Sequence, residues 1–306
     1  MKFRAHDTFF IRKGWLGKGM RNVLATPDVF VSRDNNPMDV LGIGANMVKA
    51  LRYWMVAVGL TEEPNVGQRV QHSTELGRII HDNDPYFEET GTLWLLHYWL
   101  VKANDKQYPI AETEATAWWY FFNQFKVNEF TRDDFLVQIS KFLRNSNEGE
   151  KPVRTLEDDF NCIINTYVSR MKANPEKVNP ESNIDCPLGE LGLIDIVGQE
   201  KNGSRLKLYR KSAPKRDILH PLILLSVIID QAQGEREIRI SSIQNDNGNA
   251  GKTFNLDIIS LTALLYKIEL LGYVKVNRTA GLDVINIKTN WGFYDCIREY
   301  YRVING

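Results

Sequence analysis

The sequence predicts an α+β fold, mainly helical with small β-hairpins, in which winged helix-turn-helix modules stand at both ends of a helical middle. Three observations predict it. Residues 217–290 carry helix, short strand, turn, helix and hairpin in that order. Residues 37–80 carry an amphipathic helix followed by a wing-like segment. Between them lie aromatic-rich apolar helices. At 306 residues the chain is long for one core. Four parts are expected: a winged-helix-like domain over 1–100, a helical middle over 101–175, a linker with a basic β-hairpin over 176–216, and a C-terminal winged helix over 217–306.

In the N-terminal part, PMDVLGIGANMVKALRYWMVAVGLTEE places a tight turn at Gly42 and Gly44 before a helix that ends at Gly59. Val48, Leu51, Met55 and Val58 form its apolar stripe, and Lys49 and Arg52 share another face. GIGANM is not a dinucleotide fingerprint, because a third glycine and a parallel βαβ setting are missing. VGQRVQHSTELGRII continues as a wing and a helix start. TLWLLHYWL and EATAWWYFFNQF then form apolar helices. Five of the seven tryptophans fall between Trp54 and Trp119, and their continuous apolar surroundings assign them to core packing rather than base stacking. Thr131 with Asp134 approximates a capping box, and a second helix is expected to start in the same way from Thr155.

KANPEKVNPESNIDCP has the composition of a linker. Asn202-Gly203 signals a hairpin, and its second half holds seven Lys or Arg within residues 201–216 with no acid between them. That strip is suited either to phosphate or to keeping an edge strand soluble. Farther on, DILHPLILLSVIIDQA is an apolar helix with Pro221 in its first turn, and IRISSI an alternating β segment. NDNGNAGKTF is a Gly/Asn-rich turn. A helix then runs from near Asp257 to a Gly272 C-cap, with Ile258, Leu261, Leu265, Ile268 and Leu271 on one face. YVKVNR, TAGL and DVINIK complete a hairpin.

Formal net charge is zero, with an uneven distribution. Residues 1–60 hold nine Lys/Arg against four Asp/Glu, residues 61–200 thirteen against twenty-four, and residues 201–306 sixteen against ten. Basic ends around an acidic middle fit a protein whose ends touch phosphate. Cys162, Cys186 and Cys296 are few and scattered, as expected of buried thiols in a reducing cytoplasm. No segment has the length of a membrane span, and the charged N-terminus is not a signal peptide.

Two clusters suggest chemistry. KFRAHDTFFIRKGWLGKGM sets His6, Asp7 and Arg12 close together, a proton-handling pair and a cation suited to a phosphodiester. The competing reading is that His6 and Asp7 anchor the terminus by structural hydrogen bonds. Asp82, Asp84 and Glu88 are hard oxygen ligands for a divalent metal, Mg²⁺ or Mn²⁺, or acids capping the next helix. No organic cofactor is expected. Lys18, Arg21, Lys49 and Arg52 are the candidate DNA contacts of the N-terminal part, and Lys207, Arg210, Lys211 and Lys252 those of the C-terminal part.

FRAHDTFFIRKGWLGKGM, LGIGANMVKALRYW, DPYFEETGTLWLLH, PLGELGLI and GKTFNLD…TAGLDVINI together resemble successive blocks of one bacterial family, from about residue 3 to residue 287. That family was first catalogued as a domain of unknown function, and its best-described branch is the SspB-type protein of DNA phosphorothioation clusters. The resemblance implies a DNA-nicking endonuclease of a phage-defence system. It would work beside a cysteine desulfurase, an ATPase and a sulfurtransferase-like partner. The family pattern more often has Glu where this chain has Asp7, which sets the shorter carboxylate about one methylene farther from any ligand. The alternative is a non-enzymatic winged-helix adaptor or transcriptional regulator.

Overall fold

The computed structural model describes residues 2–64, 67–102, 113–146, 149–168, 186–199, 207–215, 218–279 and 282–306. The N-terminal segment leads into helices α1 (Trp15–Ala25), α2 (Pro37–Leu41) and α3 (Ala45–Ala57). Helix α3 buries the expected stripe of Val48, Leu51 and Met55, with Val58 just beyond its end. The chain then reverses at Gly59, whose φ is 76°. A Cβ there would lie 2.4 Å from the Trp99 ring, so both backbone and space call for glycine. The wing-like segment is a minimal ribbon, β1 (Thr61–Glu62) antiparallel to β2 (His72–Ser73). Thr74 caps α4 (Glu75–Asn83) by accepting from the Gly77 N–H at 3.0 Å.

Helices α5 (Thr90–Val101) and α6 (Thr116–Asn123) are apolar and buried almost all round. Trp94, Trp118 and Trp119 lie in the core, as expected. After β3 (Glu129–Phe130), α7 (Arg132–Asn145) opens on the anticipated capping box. The Thr131 N–H donates to Asp134 Oδ2 at 2.8 Å, and the Asp134 N–H donates to Thr131 Oγ1 at 3.3 Å. Helix α8 (Val153–Tyr167) corrects the expected start at Thr155. It begins directly after Pro152, whose fixed φ already sets the helix entry. Thr155 thus sits inside the first turn, its N–H on Pro152 O at 2.9 Å.

A 3₁₀ turn at Pro187–Leu191 precedes the hairpin of β4 (Ile194–Gln199) and β5 (Lys207–Lys211). The Asn202-Gly203 turn lies outside the described residues, as do Lys201, Arg205, Arg216 and linker residues 172–185. The strands flanking that turn pair antiparallel from Ile194 with Lys211 to Gln199 with Lys207. The other edge of β5 takes β3, giving the order β3-β5-β4. The Phe130 and Tyr209 rings stack at 5.8 Å between them.

The C-terminal third runs α9 (Pro221–Ala232), β6 (Glu237–Arg239), α10 (Ile240–Asn245), α11 (Ala250–Thr253), α12 (Ile258–Leu270), β7 (Val274–Thr279), β8 (Leu282–Ile287) and α13 (Phe293–Asn305). IRISSI is strand only as far as Arg239. Ile240 and Ile243, three apart, then bury one face of a helix. The Gly/Asn-rich segment likewise contains the single turn α11, with Asn249 at its N-cap. Asp257 caps α12, accepting from the Ser260 N–H at 2.7 Å. Leu261, Leu265 and Ile268 are buried, whereas Ile258 and Leu271, expected on the same face, stand at its two ends and are about half exposed. Gly272, φ 84°, closes α12 as its N–H bonds Glu269 O at 2.8 Å. The small sheet is antiparallel with order β6-β8-β7, and Ile285 stands between Ile238 and Val276.

Helix α13 is an element that the sequence reading lacks. It buries Phe293, Cys296, Ile297, Tyr300 and Tyr301 and packs on α9 and α4. The Gly91 N–H donates to Tyr300 Oη at 3.1 Å, and Thr92 Oγ1 lies 2.6 Å from Tyr301 Oη. His97 ties the middle together, with Nδ1 2.7 Å from Tyr167 Oη and Nε2 2.7 Å from Thr253 O. One continuous buried cluster consequently runs from Ile11 to Tyr301. The three cysteines are free and buried. Among the described residues no helix is long and apolar enough to cross a membrane.

Candidate nucleic-acid interface

Three lysines far apart in sequence meet where α6, β5 and α11 converge. Helix α6 ends without a glycine cap, and two carbonyls near its end, Phe121 O and Phe125 O, each accept from Lys211 Nζ at 2.5 Å. The ammonium also lies 4.6 Å from the Phe121 ring centroid. Burial, and secondarily the charge of Lys252, bring the Lys211 pKa down to about 7. Lys252 in α11 donates to Asn247 Oδ1 at 2.6 Å. Its pKa is lowered by burial first and by Lys126 next, with Asp246 opposing. Asn123 fixes the geometry, because its Oδ1 accepts from the Gly248 N–H at 2.6 Å and its Nδ2 donates to Val101 O at 3.0 Å.

The structure thus brings together Lys211 and Lys252, both expected from sequence, and adds Lys126, which sequence reading missed. A lysine just past an apolar helix whose end lacks glycine was the available signal. Beside this cluster opens a cleft of about 740 Å³ whose lining includes Arg239, Ser242, Asn245, Asn247 and Asn249. Glu235, Glu237 and Asp246 also line it. Across α10 a second cleft of about 700 Å³ shares Arg239 and Asn245 and reaches Asp283 of the hairpin. Ammonium groups suit phosphate oxygens, whereas carboxamides can exchange hydrogen bonds with base edges or sugars.

The remaining candidates are dispersed. Lys207 is exposed on β5. Arg210 is engaged with Glu129 at 2.7 Å across the sheet, and Arg52 forms a two-point pair with Glu63. Lys18 donates to Leu41 O at 2.8 Å, closing the C-terminus of α2. Arg21 and Lys49 are exposed on α1 and α3. The expected sharing of one open face by Lys49 and Arg52 is therefore corrected, because Glu63 draws the Arg52 guanidinium toward β1.

His6, Asp7 and Arg12 do not form one open cluster. His6 is 1% exposed, and its Nε2 lies 2.7 Å from Asp159 Oδ1 on α8. The Thr8 N–H donates to His6 Nδ1 at 3.1 Å. That bond assigns the ring proton to Nε2, which therefore donates to Asp159. The ring stacks on Trp54 at 5.9 Å, while Trp54 Nε1 donates to Phe9 O at 2.8 Å. These contacts anchor the terminal segment on α3 and α8. Asp7 is exposed at φ 49°. Arg12 lies over the Phe9 and Trp15 rings, at 5.9 and 5.5 Å from their centroids.

Asp84 is buried and fully occupied. Oδ1 accepts from the Glu88 N–H at 3.0 Å, and Oδ2 from the Glu89 N–H at 3.0 Å and Thr92 Oγ1 at 2.7 Å. It stabilises the entry to α5, whereas Asp82 and Glu88 are exposed. Among the described residues no three His, Cys, Asp or Glu side chains are grouped to hold a metal. The acids of this segment therefore do not fit a protein-built Mg²⁺ or Mn²⁺ site, and no chemical step is assigned to such an ion here.

Residues 3–301 match the model of a family described as "Protein of unknown function (DUF4007)". No curated protein matches. Among solved structures, the whole chain superposes on 89% of a magnesium ion-bound SspB crystal structure, with 26% identity and a TM-score of 0.81. A second SspB crystal structure has 27% identity and a TM-score of 0.82 over the same shares of the two chains.

Proposed function

The chain belongs to the DUF4007 family, and on that premise we propose that it is a DNA-handling component of a phosphorothioate-modification and phage-defence system. The observation that carries this reading is the similarity to SspB along the entire chain. We propose four parts, 1–100, 101–175, 176–216 and 217–306, with α9 to β8 as a winged helix on the strength of its element order and β6-β8-β7 sheet. In this reading, Lys126 and Lys252 grip the phosphate backbone beside α10, and Lys211, its ammonium held by Phe121 O and Phe125 O, adds charge from behind them. The amide-lined cleft meets sugars or base edges. An ATPase and a sulfurtransferase-like protein are the partners of the same machine.

We assign strand nicking to the protein on the strength of the same relationship, with a divalent ion as its candidate cofactor. The magnesium in one SspB structure supports that choice. Burial of His6 instead favours a second reading, a binding-only adaptor. Supercoiled plasmid incubated with the purified chain and Mg²⁺ or Mn²⁺ separates the two. Open-circular product that persists in His6→Asn supports nicking without His6 chemistry. Tight binding with no relaxed product supports the adaptor, and absence of binding removes both.

A further inference from the structure

The cleft beside the lysine cluster draws on two segments of unlike chemistry. Asn245, Asn247 and Asn249 come from the end of α10 and the turn into α11, whereas Glu235 and Glu237 come from the connection between α9 and β6. Its volume of about 740 Å³ lies in the range of sites that enclose a small ligand. That is room for an unpaired nucleotide and not for a duplex.

Hydrogen bonds within the chain fix which end of each amide is left over. Asn249 is 6% exposed, and its Oδ1 accepts from the Ala250 N–H at 2.9 Å. Its Nδ2, without a partner among the described residues, opens on the cleft. Asn247 Oδ1 accepts from Lys252 Nζ at 2.6 Å, which likewise leaves Nδ2 over. Asn245 is the reverse, because its Nδ2 donates to Ser241 O at 3.0 Å and Oδ1 is left. The cleft therefore presents two neighbouring amide donors, with an amide oxygen and carboxylates as acceptors.

Charge decides which part of a strand enters. Glu235, Glu237 and Asp246 outnumber Arg239 in the lining, so the interior disfavours phosphate, while Lys126 and Lys252 attract it next door. Lys252, bonded to Asn247, stands on the border between the two. This partition holds the backbone on the lysines and turns a base inward, where buried Ala232 and Ile238 supply an apolar wall. A base in a duplex has spent its pairing edge, whereas an unpaired one brings that edge free. Adenine and cytosine each carry an amino group beside an acceptor ring nitrogen. Such an edge can accept from Asn247 or Asn249 and donate to Asn245 Oδ1 or a carboxylate. Thymine has no amino group to give. We propose that the cleft holds an unpaired adenine or cytosine. The inference rests on the DNA reading above and adds to it the state of the strand and the class of base.

Fluorescence anisotropy of the full chain with oligonucleotides of about 15 nucleotides tests it. The three probes are a single strand of alternating deoxyadenosine and deoxycytidine, a single strand of thymidine, and a duplex, at one salt concentration. The mixed strand should bind about five-fold tighter than the thymidine strand, or better, as expected of one well-placed amide contact. Asn249→Asp keeps the oxygen that caps α11 and removes the donor, and Asn245→Ala removes the acceptor at an exposed position. Either should cut the ratio to about two or less, with thermal melting of Asn245→Ala unchanged. Equal affinity for the two single strands overturns the proposal, as does a ratio that survives in both variants. Salt-dependent duplex binding beside equal single-strand affinities would leave the lysine grip standing without the base site. Absence of binding to all three probes overturns the proposal together with the DNA reading.

Discussion

Two buried titratable side chains have opposite consequences below neutral pH. His97 lies in an aromatic cage, and burial lowers its pKa to about 4 despite the opposing bond to Thr253 O. The unfolded chain binds this proton near pH 6.5, the folded chain only near pH 4, so stability is lost as pH falls through that window. The loss should reach about 3 kcal/mol, measured by urea unfolding at successive pH values. His97→Phe should remove most of this dependence and lower stability at pH 7.5, because Tyr167 Oη and Thr253 O lose a partner. Lys211 gains charge in the same direction. With its pKa near 7, the cluster becomes more cationic on acidification, and DNA affinity should rise between about pH 8 and pH 6. Lys211→Met should flatten that rise. Neither shift was legible in the sequence, because each depends on residues brought together by the fold. Lys211 appeared as one of seven cations in a strip and as a candidate DNA contact, and His97 as one residue of an apolar helix.

Among the elements, the periodic ones were the most legible. Helix α3, the capping box of α7 and the Asp257-to-Gly272 frame of α12 follow from local pattern and cap chemistry. Short elements did not, because one or two residues of tertiary packing decide them. Ile243 beneath α10 converts an alternating segment to helix, and Pro152 displaces the expected cap at Thr155. Close approach between elements is equally invisible locally. Gly91 in α5 lies under α13, where an added Cβ would stand 2.2 Å from the Tyr300 ring. Gly91→Ala should therefore destabilise the protein by about 1–3 kcal/mol, seen as a lower midpoint in chemical denaturation. An exposed control, Ala263→Ser on α12, should shift that midpoint little.

Over the whole molecule, the basic ends and acidic middle read from composition are folded around one core. The cations are redistributed by that folding. Arg52 and Arg210 are paired with acids and Lys18 with a carbonyl, while exposed Lys126 converges with Lys252, bonded to Asn247, and Lys211, bonded to Phe121 O and Phe125 O, beside an amide-lined cleft. The same convergence explains why the candidate site was only half visible: spacing along the chain identified two of the three lysines and grouped His6 with Asp7 and Arg12. The fold instead directs His6 inward to Asp159. The most direct test is the salt dependence of duplex DNA binding, followed by fluorescence anisotropy. The wild type should lose affinity linearly in log–log form as salt rises, and Lys126→Ala with Lys252→Ala should reduce the slope by about two. Affinity that is independent of salt, or a slope unchanged in the double variant, would contradict a phosphate grip at this cluster.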